Sequence, residues 1–339
     1  MKKIVIKKAG GPGVLSVQEV KDLSPAAGEV RISVKAAGLN FADIMGRQGL
    51  YPDAPKLPCT MGYEVAGVID KVGPNIEKSW LGKEVIALTY FGGQAEQVVV
   101  PLYQVFEKPE SLSFEQAAAI PVSYLTAYQL LVAMGSLQAG ESVLIHNVGG
   151  AVGLASLEIA KHVGAITYGT ASAGKHDFLK EKGLDYAIDY RTQDWKKELM
   201  KLTNNGGVDL ITDSLGGKSW RDSYKALSNT GRLGIFGIST VSESGIKGKL
   251  NLLKMVAQTP FFHPFGLMNQ NKGVFGVNMG RIWDGHAKIK PWMEALLAGY
   301  NEGWINPVVD KIFSFSDVAE AHTYIEQRRN IGKVILIPG

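Results

Sequence analysis

The segment that most constrains the fold of this chain runs from Ser142 to Lys175. Its pattern predicts a strand, a glycine turn, a helix and a second strand. Ser142–His146 is a short apolar run of strand length that ends in a histidine expected to belong to the core, and the residues after the glycines are apolar at helical spacing. Val163–Gly164 ends the helix, and Ile166–Thr170 forms the second strand.

The glycine turn matches the dinucleotide fingerprint G-x-G-x-x-G with a valine in its first position. The three positions are Val148, Gly150 and Gly153, and Ala151 and Val152 lie between the two glycines. Gly150 lets the backbone approach a pyrophosphate, Gly153 lets the helix lie close to the strand, and the N-terminus of the helix holds the anion. A turn that only packs a helix against a strand is the alternative, but the flanking elements are the context that a nucleotide site requires.

The end of the second strand favours NADPH over NADH. Domains that bind NAD usually place an Asp or a Glu about 20 residues after the turn, where it binds the ribose hydroxyls. This chain instead has Thr170, Ser172 and Lys175, and no carboxylate. Hydroxyl groups, N–H groups and an ammonium group suit a 2′-phosphate, although Lys175 is also explained as an ordinary solvated lysine at the start of a helix.

Length and the order of elements predict two domains in an α/β fold. At 339 residues the chain is long for a single core. Residues 1 to about 120 contain short apolar runs separated by Gly, Pro, Asp and Asn, which predicts a small, partly open β-barrel. The β–α–β pattern from Asp310 to the last strand is expected to return and complete it. Residues 123–284 alternate strands with helices, which predicts a doubly wound parallel sheet. Ser113 is the predicted capping serine of a helix that runs to Ile120, and Pro121 is expected to interrupt the chain after it. Further helices are predicted at Ser123–Ala133 and Pro291–Gly299.

Charge and composition exclude several classes of protein. The net charge is only +4, and basic and acidic residues alternate, so no basic stripe indicates nucleic-acid binding. No apolar run approaches the roughly 18 residues of a membrane span, and the N-terminus lacks the apolar part of a secretory signal. The single cysteine, Cys59, cannot form an internal disulfide and is best explained as a small buried residue. We therefore expect a cytoplasmic protein.

Residues 241–273 interrupt the alternation of strands and helices. They contain Lys247, Lys249 and Lys254 and then the apolar run Phe261–Phe265. An active-site lid or a dimer loop is the ordinary interpretation of such a segment, and a flap that touches a membrane or a partner is the alternative.

Three stretches of the chain resemble one family of enzymes. They are Gly38–Tyr51, Pro58–Gly73 and the glycine turn at 149–153. The chain resembles the medium-chain dehydrogenase/reductase superfamily over essentially its whole length and, within it, the zinc-independent quinone oxidoreductase (zeta-crystallin-like) branch. It is also similar to homologues of the synaptic vesicle membrane protein called vesicle amine transport protein, through the patterns at Gly169–His176, Ile188–Tyr190, Asp213–Gly217 and Asn330–Gly339.

The resemblance implies an architecture and a metal content. A GroES-like substrate domain, formed by residues 1–122 and completed by residues 285–339, would accompany a Rossmann domain of residues 123–284, with the cofactor in the cleft between them. Two chains would join through the sheet edge near Phe275–Met279. Zinc members of the superfamily carry a cysteine at the position of Asn40, a histidine at the position of Tyr63 and a lobe of four cysteines. Asn40, Tyr63 and the lone Cys59 cannot form these sites, so no metal is expected.

The resemblance also implies the residues that act on the acceptor. Without a strong Lewis acid, hydride transfer is easiest onto a quinone or an α,β-unsaturated carbonyl, and the developing oxyanion needs only hydrogen-bond donors. Asn40, Tyr51 and Tyr63 occupy the implied positions. Asn40 is alternatively a backbone cap, Tyr51 a loop closure and Tyr63 a packing residue, whereas Asp43 and Glu64 are expected to hold backbone and Arg partners.

The implied cofactor site continues along the second domain. Ser172, Lys175 and Tyr190 would hold the 2′-phosphate, although Tyr190 is alternatively a packed aromatic residue. Thr126 matches a threonine near the nicotinamide ribose, with bonding to its own helix as the alternative, and Ser214 matches a serine on the adenosine side. The remaining implied positions are the turn Phe236, Gly237, Ile238 and Ser239 and the backbone around Phe275.

These observations predict a zinc-independent, NADPH-dependent oxidoreductase. It would reduce quinones or α,β-unsaturated carbonyls by hydride or electron transfer, act on a small molecule and form a homodimer. The alternative is a nucleotide-binding regulatory protein, peripherally attached to a membrane, with little catalysis. A zinc-free alcohol dehydrogenase is opposed by the lack of a proton relay in the sequence.

Overall fold

A computed structural model describes residues 1–240, 245–282 and 285–339 of the chain. For Ile246, Lys247 and Lys249 it describes the backbone alone. The side chains of two of the three lysines named in the 241–273 segment, Lys247 and Lys249, therefore lie outside the described part, as do residues 241–244.

Strands and helices follow one another along the whole described chain. The strands are β1 (Lys2–Ile6), β2 (Leu15–Glu19), β3 (Glu29–Leu39), β4 (Glu64–Val72), β5 (Glu84–Leu88), β6 (Gln97–Pro101), β7 (Val105–Glu107), β8 (Ser142–Ile145), β9 (Ile166–Ala171), β10 (Tyr186–Asp189), β11 (Val208–Asp213), β12 (Leu227–Ile235), β13 (Gly273–Gly276), β14 (Val309–Ser314) and β15 (Lys333–Ile337). The α-helices are α1 (Phe41–Gln48), α2 (Phe114–Ala118), α3 (Pro121–Tyr128), α4 (Ala151–Val163), α5 (His176–Glu181), α6 (Trp195–Leu202), α7 (Lys218–Lys225), α8 (Gly245–Gln258), α9 (Pro264–Gln270), α10 (His286–Asn301) and α11 (Val318–Glu326).

The chain divides into two compact units. The first consists of Met1–Ser123, Gly280–Asn301 and Pro307–Gly339, and the second of Tyr124–Met279 and Glu302–Asn306. Each unit has its own sheet and its own apolar clusters, and each is described separately below.

The first unit is organised around the long strand β3. One edge of β3 pairs with β4, and its other edge pairs with β6 near its start and with β15 near its end. The sheet order is β14-β15-β3-β4-β5-β7, with only β14 and β15 parallel, and β1 and β2 form a separate antiparallel pair. Alternate residues of β3 point into a core of branched aliphatic side chains, which include Val30, Ile32, Val34, Val65, Ile69, Val85 and Val98.

The second unit contains the predicted doubly wound sheet. Among the described residues, parallel strands lie in the order β10-β9-β8-β11-β12-β13, so the direction of winding reverses between β8 and β11. Ligands of such sheets bind outside the carboxyl ends of the strands at this reversal. The α/β fold class predicted from the sequence is confirmed.

Two helices differ from their predicted bounds because of proline. Pro121 begins α3 instead of interrupting the chain before it, and the predicted end of that helix, Gln129–Ala133, forms a π-helical turn. α10 begins at His286 and contains Pro291 within it, whereas the sequence placed Pro291 at its start. Because proline is most common in the first helical turn, Pro291 predicted the wrong first residue for α10.

The segment that interrupts the sequence pattern forms α8 and α9. Phe262 packs against the core of the second unit, beside Tyr224, whereas Phe261 is 86% exposed and Phe265 is 68% exposed. Leu253 of α8 is also largely exposed. Among the described residues, no helix combines the length and the apolar composition that crossing a bilayer demands.

Candidate cofactor site and active site

The glycine turn joins β8 to the N-terminus of α4, a helix of 13 residues. Gly150 is the N-cap of this helix. A Cβ atom added at Gly153 would lie 2.6 Å from the Cα atom of Val148, so any side chain there would push α4 away from the end of the strand. The close helix–strand packing that the fingerprint predicts is therefore present. The first N–H groups of a helix, here those of Ala151 and Val152, suit an anion at this end.

The valine in the first fingerprint position is accommodated by two neighbours. Asn147 adopts the left-handed conformation, with a φ of 55°, so asparagine makes the tight turn here. Val148 is fully buried, and a Cβ atom added at Gly169 would lie 2.6 Å from its Cγ1 atom. Gly169 on the adjacent strand β9 thus leaves the space that the valine side chain fills.

The residues predicted to bind a 2′-phosphate lie at the ends of two adjacent strands. β9 and β10 pair in parallel with Ala171 opposite Asp189, so Ser172 and Tyr190 follow at equivalent positions. Lys175 ends a short 3-10 turn after β9, and a Cβ atom added at Gly149 would lie 3.0 Å from its Cδ atom. The lysine side chain therefore lies beside the glycine turn.

The turns after β11 and β12 also lie together. The Ser239 N–H donates to the Ser214 carbonyl at 2.8 Å, and the Phe236 N–H donates to the Asp213 carbonyl at 3.1 Å. Gly237 and Ile238 complete this turn. The Ser214 hydroxyl is buried and has no hydrogen-bond partner among the described residues. A buried hydroxyl without a protein partner fits a ligand atom at this place.

The remaining predicted cofactor residues lie in the same unit. Thr126 is buried on α3. Phe275 lies on β13 with its ring over Gly234 of the neighbouring strand, where an added Cβ atom would be 2.9 Å from the phenyl Cζ. Together with the glycine cradle and the Ser214 hydroxyl, these positions fit a dinucleotide.

A buried chain of side-chain hydrogen bonds connects the ends of β8, β9 and β11. Ser223 donates to the Asp213 carboxylate at 2.7 Å, so the 3.1 Å contact between Ser223 and His146 has the His146 Nε2–H as its donor. His146 Nδ1 must then accept from the Thr170 hydroxyl, also at 3.1 Å. Burial lowers the pKa of His146, which keeps the ring neutral, although Asp213 opposes the shift. His146 is a core residue as predicted, and it links β8, β9 and β11.

These hydrogen bonds give Thr170 a structural role, although the sequence placed this residue among the cofactor residues. Its hydroxyl hydrogen is donated to His146, and its oxygen accepts the Asn147 N–H at 3.2 Å. The Thr170 side chain is therefore engaged in holding the glycine turn. Sequence patterns gave no indication of Ser223 as a member of this group.

In the first unit, Asn40 belongs to a compact polar cluster with Glu64 and Lys333. The Lys333 ammonium donates to Asn40 Oδ1 at 2.7 Å and to the Glu64 carboxylate, while Asn40 Nδ2 donates to Glu64 Oε1 at 2.8 Å. Glu64 and Lys333 are almost completely buried. The sequence predicted an Arg partner for Glu64, and this was wrong: its charged partner is Lys333.

Asp43 holds the backbone around this cluster. It accepts the Asn40 N–H at 2.7 Å and the Gly62 N–H at 3.0 Å, as the sequence predicted for backbone partners. Burial raises the pKa of Asp43 to about 7, and the two backbone hydrogen bonds oppose the shift. Asn40 is both the N-cap of α1, as its alternative interpretation held, and a member of the polar cluster.

Tyr51 and Tyr63 form an aromatic group in the same unit. Their rings are 6.4 Å apart and nearly perpendicular, and Phe91 lies 5.2 Å from Tyr63. Burial raises the pKa of both phenols, and a hydrogen bond from Tyr63 opposes the shift at Tyr51. Both tyrosines therefore stay neutral near pH 7. The Tyr63 hydroxyl donates its hydrogen to Tyr51, and the Tyr51 hydroxyl keeps a hydrogen to donate in turn.

The side chains around Asn40 do not suit a zinc ion. The Asn40 oxygen and one Glu64 oxygen are bound to the Lys333 ammonium, and the other Glu64 oxygen accepts the Val122 N–H at 2.7 Å. A fixed positive charge among these oxygens opposes a divalent cation at the same place. Among the described residues, no group of three or more His, Cys, Asp or Glu side chains is arranged to hold a metal ion.

The sequence matches two family models. The model for the alcohol dehydrogenase GroES-like domain matches residues 26–110, and the model for a zinc-binding dehydrogenase matches residues 182–336. The sequence is also 39% identical to the rat synaptic vesicle membrane protein VAT-1 homolog, over 99% of this chain and 84% of the relative. It is 30% identical to the bovine quinone oxidoreductase-like protein 2, over 95% of this chain and 88% of the relative.

Solved structures share the fold over the whole chain. The crystal structure of the human VAT-1 homolog-like protein superposes with a TM-score of 0.86 at 30% identity and covers 99% of this chain and 98% of its own. The quinone oxidoreductase of Escherichia coli, solved in complex with NADPH, gives a TM-score of 0.88 at 29% identity over 100% of both chains. The CurK enoyl reductase gives 0.86 at 28% identity over 100% of this chain and 99% of its own.

These matches confirm the GroES-like and Rossmann-like parts of the predicted fold. They include both the VAT-1 homologues and quinone oxidoreductases, as the sequence motifs indicated. The chain therefore belongs to the medium-chain dehydrogenase/reductase superfamily of oxidoreductases, in which its relatives include the VAT-1 homologues.

Proposed function

We propose that this protein is an NADPH-dependent reductase of quinones or α,β-unsaturated carbonyls. The observation that carries the proposal is the position of Lys175, whose side chain lies against Gly149 of the turn that begins α4. An ammonium group beside the glycine turn, at the end of a strand that lacks a carboxylate, suits a phosphorylated ribose better than a free one.

The comparisons support the same reaction class. The quinone oxidoreductase of E. coli carries NADPH in its solved structure, and a mycobacterial protein of similar fold, 27% identical, was also solved with NADPH. The CurK protein is an enoyl reductase by name. Quinones and enones share an electron-poor carbon conjugated to a carbonyl group, so one type of site serves both.

In the proposed reaction, bound NADPH supplies a hydride to the electron-poor carbon of the acceptor and is oxidised to NADP⁺. The acceptor oxygen gains negative charge, and one proton from solvent completes the reduction. An enone gives a saturated ketone when the α-carbon of the enolate takes that proton, and a quinone gives a hydroquinone after tautomerisation of the ring. Asn40 and Tyr51 stabilise the acceptor oxygen as neutral hydrogen-bond donors, and Tyr63 contributes through its own hydrogen bond to Tyr51. In the cofactor site, Lys175, Ser172 and Tyr190 hold the 2′-phosphate, and the N-terminus of α4 holds the pyrophosphate.

Nucleotide selectivity tests the cofactor part of the proposal. NADPH and NADH are titrated into the protein and binding is followed by fluorescence, with Lys175→Ala and Tyr190→Phe measured beside the wild type. We expect NADPH to bind more tightly than NADH, and Lys175→Ala to weaken NADPH binding while leaving NADH binding nearly unchanged. Equal affinities that neither variant alters would contradict the assignment.

Turnover tests the reductase part. NADPH oxidation is followed with a panel of quinones and a panel of enones, and Asn40→Ala is compared with the wild type. Removal of one oxyanion donor typically lowers kcat by about 100-fold. Tight NADPH binding without turnover on any acceptor would instead support a binding protein with little catalysis.

That second candidate is favoured by one observation on the surface. Leu250, Leu253, Phe261, Phe265 and Met268 of the α8–α9 region are each more than half exposed. Several relatives are named synaptic vesicle membrane proteins. A vesicle-flotation assay with and without NADPH measures whether this surface binds lipid, separately from turnover.

We also propose that two chains pair through β13. This strand is an edge of the second unit's sheet, and its outer side therefore carries backbone groups without a strand neighbour in the described part of the chain.

A further inference from the structure

The orientation of the Asn40 carboxamide is determined by its neighbours. An ammonium group only donates, so the atom that faces Lys333 must be the amide oxygen. An ionised carboxylate only accepts, so the atom that faces Glu64 must be the amide nitrogen. Both contacts, at 2.7 Å and 2.8 Å, are satisfied by a single rotamer and would be lost if the amide were flipped.

One hydrogen of that amide is not used by the protein. Asn40 Nδ2 carries two hydrogens, of which Glu64 accepts one, and none of the described residues accepts the other. Asn40 is only half-buried, whereas Glu64 and Lys333 are buried. The cluster therefore presents an N–H group, and not a carbonyl oxygen, on its accessible side.

The topology of the first unit brings these three residues together. Asn40 follows the last residue of β3, and Glu64 and Lys333 are the first residues of β4 and β15. Both strands run antiparallel to β3, one on each side, so their first residues meet the end of β3. Gly38 makes room for the carboxylate, because a Cβ atom there would lie 2.7 Å from the Glu64 Cδ atom.

We propose that Lys333 is a positioning residue that, together with Glu64, fixes the Asn40 carboxamide as a hydrogen-bond donor to the acceptor's carbonyl oxygen. This inference rests on the proposed reductase function. The Lys333 ammonium is fully engaged, with its third contact at 3.3 Å to the Ser123 hydroxyl, so it does not itself bind the acceptor. The site then selects an acceptor oxygen that becomes negative during reduction, and it disfavours a group that must donate a hydrogen bond at that point.

The first test reads the Asn40 amide directly and does not depend on turnover. Protein labelled with ¹⁵N-asparagine is compared as wild type, Lys333→Met and Lys108→Met, and the Asn40 side-chain resonances are assigned by their loss in Asn40→Asp. Lys108 is the matched control, because it is also a buried lysine in this unit and binds the Leu112 carbonyl at 2.6 Å and Glu84 at 3.0 Å. We expect Lys333→Met to move the two Asn40 N–H resonances towards those of a free amide, and Lys108→Met to leave them unchanged.

The second test reads the reaction. In a double-mutant cycle, Lys333→Met is expected to lower kcat by about 10- to 100-fold in the Asn40 background and by less than about twofold in the Asn40→Ala background. The KM for NADPH is expected to stay unchanged in both backgrounds. Lys108→Met is expected to leave kcat unchanged.

When Lys333 is removed, the Glu64 carboxylate is left as an unpaired charge in the interior, and this destabilises the folded protein. The double variant Lys333→Met/Glu64→Gln removes both charges and is measured in the same way. We again expect the Asn40 N–H resonances to move towards those of a free amide. Unchanged Asn40 resonances in a folded variant, or equal losses of kcat in both backgrounds, would overturn the proposal. Absence of turnover in the wild type would contradict the reductase function, and the NMR comparison would still decide whether Lys333 positions Asn40.

Discussion

At the scale of single residues, His322 is a completely buried histidine whose ring makes no hydrogen bond in the described part of the chain. Both ring nitrogens lack a hydrogen-bond partner among the described residues. Burial, and secondarily the nearby Arg47 guanidinium, lower the pKa of His322 to about 3. Arg47 is itself fully buried and paired with Glu326, so its charge is fixed beside the ring. The folded protein therefore keeps this imidazole neutral where an unfolded chain would protonate it.

This arrangement predicts a loss of stability in acid. Between pH 6.5 and about 3 the unfolded chain binds one more proton than the folded chain at this site, so stability falls as the pH decreases. One proton corresponds to about 1.4 kcal/mol per pH unit. We expect His322→Leu to reduce the slope of the unfolding free energy against pH, measured by urea denaturation between pH 4.5 and 8. At pH 8 both histidine states are neutral, so any difference there reports packing alone, and an unchanged slope would contradict the assignment.

A second prediction at this scale concerns two buried threonines of the same sheet. Thr170 donates to His146 and accepts from Asn147, whereas the Thr212 hydroxyl has no hydrogen-bond partner among the described residues. Thr170→Val leaves His146 Nδ1 and the Asn147 N–H unsatisfied and should cost about 1–3 kcal/mol.

Thr212→Val is the matched control, because it replaces a hydroxyl that is buried without a partner by a methyl group of the same shape. We expect it to be neutral or stabilising. Melting temperature and NADPH affinity are measured for both variants, and Thr170→Val is expected to lower both. Equal effects of the two substitutions would show that the hydrogen-bond chain does not hold the glycine turn.

Most of these hydrogen-bond partners could not be predicted from the sequence. The position of His146 at the end of an apolar strand sufficed to predict its burial. Its partners Thr170 and Ser223 depend on the order of β8, β9 and β11 in the sheet, which the motif does not encode. Likewise, Lys333 looks in the sequence like an ordinary lysine before an apolar strand. It meets Glu64 because β4 and β15 lie on either side of β3 and both begin at the end of that strand. The cofactor turn was predictable because all its parts are adjacent in sequence.

At the scale of elements, the contact between β8 and α4 depends on the absence of a side chain at Gly153. An added Cβ atom meets backbone atoms, which do not move as easily as the end of a flexible side chain. Overpacking of this kind typically costs about 1–3 kcal/mol. The same displacement would move the N-terminus of the helix, which the proposed function uses to bind the pyrophosphate.

We therefore expect Gly153→Ala to lower both the melting temperature and the affinity for NADPH. Gly174→Ala is the control, because Gly174 lies near the same site and a Cβ atom there would meet nothing within 4 Å. Differential scanning fluorimetry with and without NADPH measures both effects. A Gly153→Ala protein with wild-type affinity would mean that the position of α4 is unimportant for the nucleotide.

Helix bounds were less predictable than the elements themselves. The serine N-cap of α2 was identified from Ser113, whose hydroxyl accepts the Gln116 N–H at 3.1 Å. The start of α10 was missed because Pro291 resembles an N-terminal residue, although the helix has already begun at His286. Local signals thus placed helices where the capping side chain is next to the helix and failed where a proline is tolerated within it.

At the scale of the whole molecule, the proposed pairing of two chains depends on the exposed edge of β13. Gly276, at the end of this strand, is exposed, and a Cβ atom there would meet only the Ile235 carbonyl oxygen, at 4.0 Å. A lysine at this position is therefore tolerated within one chain, while its charge opposes the addition of another strand to the edge.

We expect the wild-type protein to sediment with about twice the chain mass of 36.6 kDa and Gly276→Lys to sediment nearer to the chain mass itself. The control is Gly13→Lys, which adds the same charge at a position where a Cβ atom meets nothing within 4 Å. Sedimentation equilibrium over a range of protein concentrations measures the association. A wild-type protein of single-chain mass would contradict pairing, and a Gly276→Lys protein that stays associated would place the interface away from β13.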